Sequence, residues 1–417
     1  MSRDRCVAVI GAGQTAARSV SAMRDAGFDG TIVLIGDETE LPYERPPLSK
    51  DALFAEAEPA PATIFDERFY QDHGVELRLG ARALSIDAAS GDVTLQDGER
   101  IKADRILIAS GARARAARID GIDPQRILSL RTLADAKRLR AGLSKPCRVA
   151  LIGGGFIGLE IAAGAARLGC AVTVIEARPR LIERAVSTHV SAWLDALHRS
   201  HGVTVKTACT IAAARQGDTE IELTLSDGTK CVADLIVAGV GAVPNAELAQ
   251  AAGIACNNGI EVNAQCHTSA GIVWAAGDVA ARVHGWWGTR VRLESWENAE
   301  LQAACAGRAI AASWSDEAPA IDVVDAPPWF WTDQYDVNVQ ILGCVSGSDR
   351  IVTREGTAGT LLFHFQRERL RGAELLGAAR ERPLIRKLLQ LGWPLAADRL
   401  ADTSMSLKEC VAAAQAA

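Results

Sequence analysis

The first apolar run of the sequence leads directly into a glycine turn, in Val7-Ala-Val-Ile-Gly-Ala-Gly-Gln-Thr-Ala16. This run, the spacing Gly11-x-Gly13-x-x-Ala16 and a helical pattern to about residue 26 predict a strand, a tight turn and a helix. Gly11 permits the turn, Gly13 lets the backbone approach a pyrophosphate, and a small residue at position 16 lets the helix pack on the strand. Because a helix N-terminus attracts negative charge, the unit predicts a dinucleotide-phosphate site that includes Gln14 and Thr15.

The same unit returns later in the chain, in Val149-Ala-Leu-Ile-Gly-Gly-Gly-Phe-Ile-Gly158. A helical pattern follows over residues 157–168, and Gly169 is placed to end it. A single glycine turn is weak evidence, because plain strand-to-helix connections also use one. Two complete fingerprints in one chain predict two dinucleotide sites.

An acidic residue follows the second strand of each unit. Asp37 comes soon after the apolar run 31–35, where it could hydrogen-bond an adenosine ribose or serve only as a solvated turn acid. Glu176 ends the run 171–175 and lies 23 residues past Gly153. A carboxylate at that place accepts hydrogen bonds from a free ribose 2′-hydroxyl and repels a 2′-phosphate, so it favours NADH.

Three arginines follow Glu176 and weaken this exclusion. Arg178, Arg180 and Arg184 could pair with a 2′-phosphate. The sequence therefore predicts that NADH is preferred and that NADPH is used less well.

Composition limits the classes of function. The chain has 417 residues, enough for two or three domains, and 48% of them are hydrophobic. A formal net charge of −6 argues against nucleic acid as the main partner. No apolar stretch approaches the length of about 18 residues that a membrane span needs. We therefore expect a cytoplasmic protein that binds neither nucleic acid nor membrane.

The cysteines and histidines show no ligand pattern. The ten cysteines are scattered and form no C-x-x-C or other spacing typical of zinc or iron–sulfur sites. The seven histidines form no paired motif. We expect most thiols to be buried core side chains, and we expect the chain to carry no metal of its own.

Three further segments differ in composition from the rest of the chain. Leu41-Pro-Tyr-Glu-Arg-Pro-Pro-Leu-Ser-Lys50 contains three prolines, which predict a rigid extended loop carrying two cations, Arg45 and Lys50. The apolar run after Arg105 ends in small residues, Ala109 and Gly111, where a cofactor could lie close to the backbone. From residue 327 onward, tryptophans and alternating runs predict a small antiparallel α+β domain.

Taken together, these motifs resemble the FAD-dependent ferredoxin reductases of bacterial oxygenase systems, over essentially the whole chain. The proline loop and a Pro-Trp-Phe-Trp run are the specific features, whereas the glycine turns occur in every related flavoprotein. The stretches that carry the resemblance are Gly11-x-Gly13, 41–50, Ala109-Ser-Gly111, Gly153-Gly-Gly-Phe-Ile-Gly-Leu-Glu160, Ala276-Gly-Asp278, Arg292-Leu-Glu-Ser-Trp-Glu-Asn-Ala299 and Pro328-Trp-Phe-Trp-Thr-Asp-Gln334.

The resemblance implies an α/β fold of the glutathione-reductase-like FAD/NAD(P) type. It would contain two Rossmann-like dinucleotide-binding domains and a C-terminal α+β domain. The FAD-binding domain would be discontinuous, over residues 1–112 and 245–322. The NAD-binding domain would span 113–244, and the C-terminal domain would span 323–417.

The resemblance also implies which residues hold the two cofactors. The FAD set would be Gly11, Gly13, Asp37, Arg45, Lys50, Ala83, Asp278, Trp296 and Trp331. The NADH set would be Gly153, Gly155, Phe156, Ile157, Glu176 and Arg184. Further cofactor-binding residues, not divided between the two, would be Gln14, Thr15, Ala16, Ala109, Gly111, Arg131, Glu160, Gly241 and Glu294. Phe156 would be either a movable lid over the flavin or a core side chain.

Lys50 and Glu160 are the residues to which the resemblance gives a catalytic role, as an ion pair beside flavin N5. A cation there would stabilise the anionic reduced flavin electrostatically, without giving or taking the hydride. By itself, Glu160 could equally be an ordinary carboxylate on a helix face.

These features predict an NADH-dependent ferredoxin reductase, either a monomer or a homodimer. FAD would take a hydride from NADH and pass single electrons to a small [2Fe-2S] ferredoxin, which would feed a Rieske dioxygenase or a cytochrome P450 in aromatic hydrocarbon catabolism. Three alternatives stay open: a rubredoxin reductase, an NADH oxidase or monodehydroascorbate-type reductase, and an apoptosis-inducing-factor-like redox switch. A docked acidic ferredoxin would need a basic rim, with candidates Arg113, Arg115, Arg290, Arg292, Arg380, Arg382, Arg386 and Lys387.

Overall fold

The computed structural model of the protein describes residues 5–55, 57–314, 325–357, 359–392 and 397–416. The α-helices in these ranges are α1 (Gln14–Asp25), α2 (Asp51–Phe54), α3 (Glu67–Asp72), α4 (Leu133–Gly142), α5 (Phe156–Arg167), α6 (Thr188–Ser200), α7 (Glu247–Ala251), α8 (Trp296–Ala312), α9 (Arg382–Leu391), α10 (Ala397–Ala401) and α11 (Leu407–Ala416). Short 3-10 helices cover Pro46–Ser49, Pro124–Arg126, Gly277–Val279 and Ala379–Glu381.

The strands of the first third of the chain are β1 (Cys6–Ile10), β2 (Thr31–Gly36), β3 (Val75–Leu79), β4 (Ala83–Asp87), β5 (Asp92–Leu95), β6 (Arg100–Lys102), β7 (Arg105–Ile108), β8 (Ala112–Ala114) and β9 (Ile127–Leu128). Those of the middle are β10 (Arg148–Ile152), β11 (Ala171–Ile175), β12 (Thr204–Lys206), β13 (Ile211–Gln216), β14 (Ile221–Leu225), β15 (Lys230–Ala233), β16 (Leu235–Ala238), β17 (Ala242–Pro244), β18 (Ile260–Val262), β19 (Val273–Ala275), β20 (Ala280–His284) and β21 (Thr289–Val291). The last are β22 (Trp329–Gln334), β23 (Val337–Gly343), β24 (Arg350–Gly356), β25 (Gly359–Gln366) and β26 (Arg369–Leu376).

The chain divides into two compact units. The first unit comprises the described parts of Met1–Arg45, Pro61–Arg113 and Ala242–Asp325, and the second those of Pro46–Ala60, Ala114–Gly241 and Ala326–Ala417. The prediction of three domains stays a prediction, and its 322/323 boundary lies outside the described residues.

The first unit is built on a parallel sheet of order β19-β7-β1-β2-β3. Successive residues of β1 point to opposite faces, so Ala8 and Ile10 enter one core while Val7 and Val9 enter another. The second of these cores includes apolar side chains of α1 and α8, and the first includes those of the antiparallel sheet β4-β5-β6. Because both faces of this sheet are covered, the strands consist of continuous apolar runs.

The second unit contains another parallel sheet, of order β12-β11-β10-β16-β9, and an antiparallel sheet β13-β14-β15. It also contains a five-stranded sheet of order β22-β23-β26-β25-β24, whose strands all pair antiparallel. Helix α9 packs on this last sheet through Ile385, Leu388 and Leu389, which are buried. The antiparallel strands and the helix after them lie where the sequence predicts an α+β segment.

The proline segment differs from the extended loop that the sequence predicts. Residues Pro46–Ser49 form a 3-10 helix, and α2 follows at once. Proline lacks an amide hydrogen and has a fixed φ, so two prolines are tolerated in a first helical turn, where amides need no helical partner. The prediction of an extended loop is therefore wrong for residues 46–50.

Candidate active site

The first glycine turn has the geometry of a phosphate cradle. Gly11 has φ +118°, its amide donates to Ile35 O at 2.8 Å, and a Cβ at this position would lie 2.2 Å from Ala109 O. Gly13 is the N-cap of α1, and a Cβ there would meet no atom within 4 Å. The turn is thus closed on the protein side at Gly11 and open at Gly13.

The second turn repeats this geometry. Gly153 has φ +102°, its amide donates to Ile175 O at 2.8 Å, and a Cβ would lie 2.5 Å from Gly239 O. Gly155 is the N-cap of α5, and a Cβ there would meet its nearest neighbour, Gly239 O, only at 4.0 Å.

The first turns of α1 and α5 also differ from those of α4, α6 and α8 in how their amides are satisfied. Neither Gly13 nor Gly155 provides a side-chain cap, whereas Thr132, Ser187 and Ser295 cap α4, α6 and α8. Uncapped amides at a helix N-terminus, beside open space, are suited to bind an anion. The residues of both turns therefore fit the pyrophosphate of a dinucleotide.

The acidic residues of the two units differ in position. Glu176 directly follows β11 and accepts hydrogen bonds from the main-chain amides of Gly154 at 2.6 Å and Arg178 at 2.8 Å. In the first unit the residue in the same register is Gly36, where a Cβ would lie 2.3 Å from the Cβ of Ala12. Asp37 comes one residue later and is exposed. The two acids are therefore not equivalent in the fold, and ribose binding by Asp37 stays a prediction.

Two of the three arginines after Glu176 are engaged within the protein. Arg178 pairs with Glu183 at 2.8 Å, and Arg180 donates to the main-chain oxygens of Val186 and Glu183, both at 2.7 Å. Arg184 is exposed. Only part of the arginine cluster is thus placed to meet a 2′-phosphate without rearrangement.

Lys50 and Glu160, which are far apart in sequence, meet in the second unit. Lys50 Nζ lies 3.6 Å from Glu160 Oε1 and also pairs with Asp333 of β22. Glu160 is buried in α5, and its oxygens accept hydrogen bonds from Ser49 Oγ, from Thr332 Oγ1 at 2.7 Å and from the Asp333 amide at 3.3 Å. The sequence identifies the ion pair but not Asp333, Ser49 or Thr332, although all three lie in the two stretches that carry the resemblance.

This environment acts on the protonation of Glu160 in two opposing ways. Burial is the larger effect and raises the pKa of the Glu160 carboxyl above its usual value. Lys50 and the hydrogen bonds from Ser49, Thr332 and Asp333 act to lower this pKa. The group is thus a buried carboxylate surrounded by donors, not an ordinary carboxylate on a solvated helix face.

An aromatic stack adjoins the ion pair. Trp331 lies with its ring centroid 5.1 Å from Lys50 Nζ and stacks on Trp329 at 4.7 Å. The Arg382 guanidinium lies 4.1 Å from the Trp329 centroid. Two indole rings are therefore held between two cations, an arrangement favoured by the negative faces of the rings.

Arg45 and Asp278, two further residues predicted to hold FAD, also lie in the first unit. Arg45 donates to Glu38 Oε1 at 2.6 Å, so one of the two predicted cations of the proline segment already has a carboxylate partner. Asp278 lies in the 3-10 helix that follows β19, at the carboxyl end of the parallel sheet. Ligands of such sheets bind at that edge.

The other predicted residues lie at turns, strand ends or helix starts. In the first unit, Gln14, Thr15 and Ala16 begin α1, Ala83 begins β4, Ala109 and Gly111 follow β7, and Glu294 and Trp296 adjoin the N-terminus of α8. In the second unit, Arg131 precedes α4, Phe156 and Ile157 begin α5, and Gly241 follows β16. Of these, Ile157 is a large apolar side chain left 41% exposed.

Several members of the predicted basic rim are engaged. In the first unit, Arg113 pairs with Glu247 at 2.6 Å, and Arg292 pairs with Glu294 and donates to Asp278 O at 3.0 Å. In the second unit, Arg382 lies over Trp329, whereas Lys387 on α9 is exposed.

Comparison with known proteins agrees with this geometry. The family model described as pyridine nucleotide-disulphide oxidoreductase matches residues 5–303, and the model described as reductase C-terminal matches residues 329–411. The ferredoxin–NAD(+) reductase component of an anthranilate 1,2-dioxygenase system from Burkholderia cepacia is 38% identical over 98% of this chain and 99% of its own. This chain belongs to the ferredoxin reductase family.

Two further members of the ferredoxin reductase family match over the full length. Putidaredoxin reductase of Pseudomonas putida is 34% identical over 100% of this chain and 99% of its own. The crystal structure of a covalent putidaredoxin reductase–putidaredoxin complex superimposes with a TM-score of 0.92, at 31% identity over 99% of this chain and 100% of that chain. These matches confirm the predicted fold class, and family membership makes the protein an oxidoreductase that uses a flavin and a pyridine nucleotide.

The cysteines of this ferredoxin reductase show one feature that spacing alone could not predict. All ten are free thiols, yet Cys147 and Cys170 bring their sulfur atoms to 3.9 Å. They directly precede β10 and β11, which pair in parallel, so the pair lies at the amino ends of these strands. The glycine turn follows the carboxyl ends, and these thiols are therefore not placed to exchange electrons with a ligand bound there.

Among the described residues, no helix has both the length and the apolar character required to cross a membrane. The same residues contain no group of three or more His, Cys, Asp or Glu side chains arranged to hold a metal ion.

Proposed function

We propose that the protein is an NADH-dependent ferredoxin reductase that holds FAD and passes single electrons to a small [2Fe-2S] ferredoxin. The observation that carries this proposal is the Lys50–Glu160–Asp333 cluster beside Trp331, in a chain that matches ferredoxin reductase components from end to end. The names of these relatives support a ferredoxin as the acceptor and an oxygenase system further downstream, which we propose to be a Rieske dioxygenase or a cytochrome P450. We propose the cytoplasm as its location and keep the three-domain division stated above.

FAD would be held chiefly by residues of the first unit. Gly11 and Gly13 would face the pyrophosphate at the N-terminus of α1, and Asp37 and Arg45 would lie toward the adenosine part. Asp278 would accept hydrogen bonds from the ribityl chain. The open space at Gly13 and the uncapped helix start support this assignment.

NADH would be held by the second glycine turn, in the second unit. Gly153 and Gly155 would face its pyrophosphate, and Glu176 would accept hydrogen bonds from the adenosine ribose. A 2′-phosphate would meet the Glu176 carboxylate, while Arg178 is paired with Glu183 and Arg180 donates to main-chain oxygens. We therefore propose a clear preference for NADH, with weaker use of NADPH.

Lys50 and Glu160 would act by position and charge. Bound FAD supplies the conversion of one two-electron donation by NADH into two single-electron transfers. Lys50 would stabilise the negative charge that develops on the reduced cofactor, and the two carboxylates would hold the ammonium group in place. Trp331, which lies over Lys50, would limit the motion of this side chain and shield it from water.

Anaerobic stopped-flow measurement tests the proposal. The purified yellow protein is mixed with NADH or NADPH, and the reduced protein is then mixed with a [2Fe-2S] ferredoxin. We expect fast bleaching of the flavin by NADH, slower bleaching by NADPH, and fast reduction of the ferredoxin. A long-lived charge-transfer band that is insensitive to ferredoxin would overturn the proposal and favour a redox-switch protein.

A further inference from the structure

A line of hydrogen bonds runs from Glu160 through the second unit to helix α6. Thr332 Oγ1 lies 2.7 Å from Glu160 Oε1, and Gln334 Nε2 lies 2.8 Å from Thr332 Oγ1. Gln334 Oε1 lies 3.0 Å from His198 Nε2, and His198 Nδ1 lies 3.1 Å from the Tyr335 hydroxyl. All five side chains are buried, so each donor and acceptor must find its partner within the protein.

The chemistry of the groups fixes the direction of every bond in this line. The Gln334 amide nitrogen can only donate, so Thr332 Oγ1 accepts from it and directs its own proton to Glu160. The Gln334 oxygen can only accept, so the Nε2 of His198 must carry a proton. A neutral imidazole then has a bare Nδ1, which accepts from the Tyr335 hydroxyl.

The surroundings keep His198 neutral. Burial lowers the pKa of His198 to about 4, with the Gln334 hydrogen bond opposing this effect. Asp195 of α6 raises this pKa and His201, the residue after α6, lowers it, while Arg167 of α5 lies over the ring of Tyr335. On the other end of the line, Glu160 faces Lys50 and Asp333.

We propose that His198, Gln334 and Thr332 are positioning residues for Glu160: the neutral imidazole, held as the Nε2–H tautomer, fixes the Gln334 amide so that Thr332 donates its hydroxyl proton to Glu160 and keeps the carboxylate ionised for Lys50. A proton on Glu160 Oε1 would oppose the proton that Thr332 donates to that oxygen, and a proton on Oε2 would oppose the one that Ser49 donates there. The ionised carboxylate is therefore the form that accepts from both hydroxyl groups at once.

These hydrogen bonds fix the positions of the side chains and do not form a path for proton transfer. A carboxamide does not pass protons readily, so Gln334 interrupts any transfer between His198 and Thr332. All donors also point toward Glu160, whereas release of a proton to solvent would require each bond to reverse. The inference rests on the proposed function only in giving the Glu160–Lys50 pair its role, and its tests do not depend on ferredoxin reduction.

The tautomer of His198 can be measured in the unaltered, flavin-loaded protein. Histidine labelled with nitrogen-15 gives separate NMR signals for the two neutral tautomers and for the imidazolium, and His198→Gln identifies the signals of this residue. We expect the Nε2–H tautomer at neutral pH. The Nδ1–H tautomer or an imidazolium at neutral pH would overturn the proposal.

The ionisation of Glu160 gives a second test, by infrared titration of the flavin-loaded protein. Glu160→Gln identifies the band of the protonated carboxyl group. In Thr332→Val and His198→Phe we expect this band to appear at higher pH than in the unaltered protein. Ionised Glu160 loses the Thr332 hydroxyl in the first variant, and in the second it loses the imidazole that holds Gln334 and Thr332 in place. Thr332→Ser and His198→Gln, which keep a donor in place, should restore the original titration.

A matched control separates this effect from a general loss of stability. Ser191→Ala removes a buried hydroxyl on the same helix as His198, where Ser191 Oγ donates to Leu181 O at 2.8 Å. It should lower the melting temperature without moving the Glu160 titration. If Thr332→Val titrates like the unaltered protein, or if Ser191→Ala moves the titration equally, the positioning role is excluded.

Discussion

The carboxylate of Glu176 accepts a hydrogen bond of 2.6 Å from the main-chain amide of Gly154, within the turn between β10 and α5. The acid after the second strand is thereby fixed against the turn that would hold the pyrophosphate. A ribose bound at this turn would meet an oriented carboxylate, and a 2′-phosphate would meet its negative charge.

Replacement of Glu176 should change the choice of nucleotide. In Glu176→Ala we expect kcat/KM for NADH to fall about 10- to 100-fold, since hydrogen bonds to a charged group are worth about 1.5–3 kcal/mol. NADPH should lose less, because its phosphate no longer meets a carboxylate. Steady-state reduction of ferricyanide by each nucleotide measures this. Glu220→Gln, an exposed partner of Arg148 at the start of β10, is the control, and an equal loss for both nucleotides would contradict the assignment.

The glycines of the two turns should respond differently to alanine. Gly11→Ala places a Cβ 2.2 Å from Ala109 O at φ +118°, so we expect it to destabilise the fold by roughly 1–3 kcal/mol or more. Gly13→Ala should fold normally but lose FAD, and Gly155→Ala should keep FAD but bind NADH more weakly. Melting temperature, flavin content and NADH titration distinguish the three. Full flavin content in Gly13→Ala would exclude the first turn as the FAD site.

The charge of Lys50 should set the flavin potential. In Lys50→Met we expect the midpoint potential to become more negative by about 30 mV or more, which corresponds to about 1.4 kcal/mol for a two-electron couple. The reduced cofactor would lose a cation while Glu160 and Asp333 remain. Dye-equilibration titration measures the potential. Lys137→Met, which removes an exposed lysine paired with Glu58, is the control, and an unchanged potential in Lys50→Met would remove the electrostatic role.

His198 should make the protein less stable in acid. Its pKa is lowered from 6.5 to about 4 by burial, so below pH 6.5 the unfolded chain binds a proton that the folded chain does not. The free energy of unfolding is not reduced by this group above pH 6.5. It falls as the pH falls toward 4, by roughly 3 kcal/mol in all. Melting temperatures between pH 7.5 and 4.5 should show this loss. The loss should be smaller in His198→Gln and unchanged in His201→Gln, and equal slopes in all three proteins would exclude His198 as the cause.

Helix α9 should contribute to ferredoxin docking through charge. Lys387 is exposed on this helix, so Lys387→Glu should lower kcat/KM for an acidic ferredoxin about threefold and flatten its dependence on salt. Reduction of the flavin by NADH should not change. Lys145→Glu, an exposed residue before β10, is the matched control. The same salt dependence in Lys387→Glu and in the unaltered protein would remove α9 from the docking surface.

Local patterns predict the parts of the site that depend on neighbouring residues. The two glycine turns and the acid at Glu176 follow from spacings within one strand–turn–helix unit, and the structure has these elements at those positions. The 3-10 helix at Pro46–Ser49 escaped prediction, because two consecutive prolines suit an extended chain as well as a first helical turn.

Contacts across long separations in sequence could not be predicted. Asp333 of β22 joins Lys50, and Gln334 of β22 joins His198, across 283 and 136 positions of sequence within the second unit. The Cys147–Cys170 approach depends on the register of two paired strands. No periodicity within a single segment contains this information.

The uncapped N-termini of α1 and α5 connect the cofactors to the lifetime of the protein. Free energy that α4, α6 and α8 obtain from a serine or threonine side chain can here come from a bound dinucleotide. A newly made chain that meets no flavin is therefore the less stable form and the better substrate for proteases. The amount of folded protein in a cell would then rise and fall with the supply of its flavin.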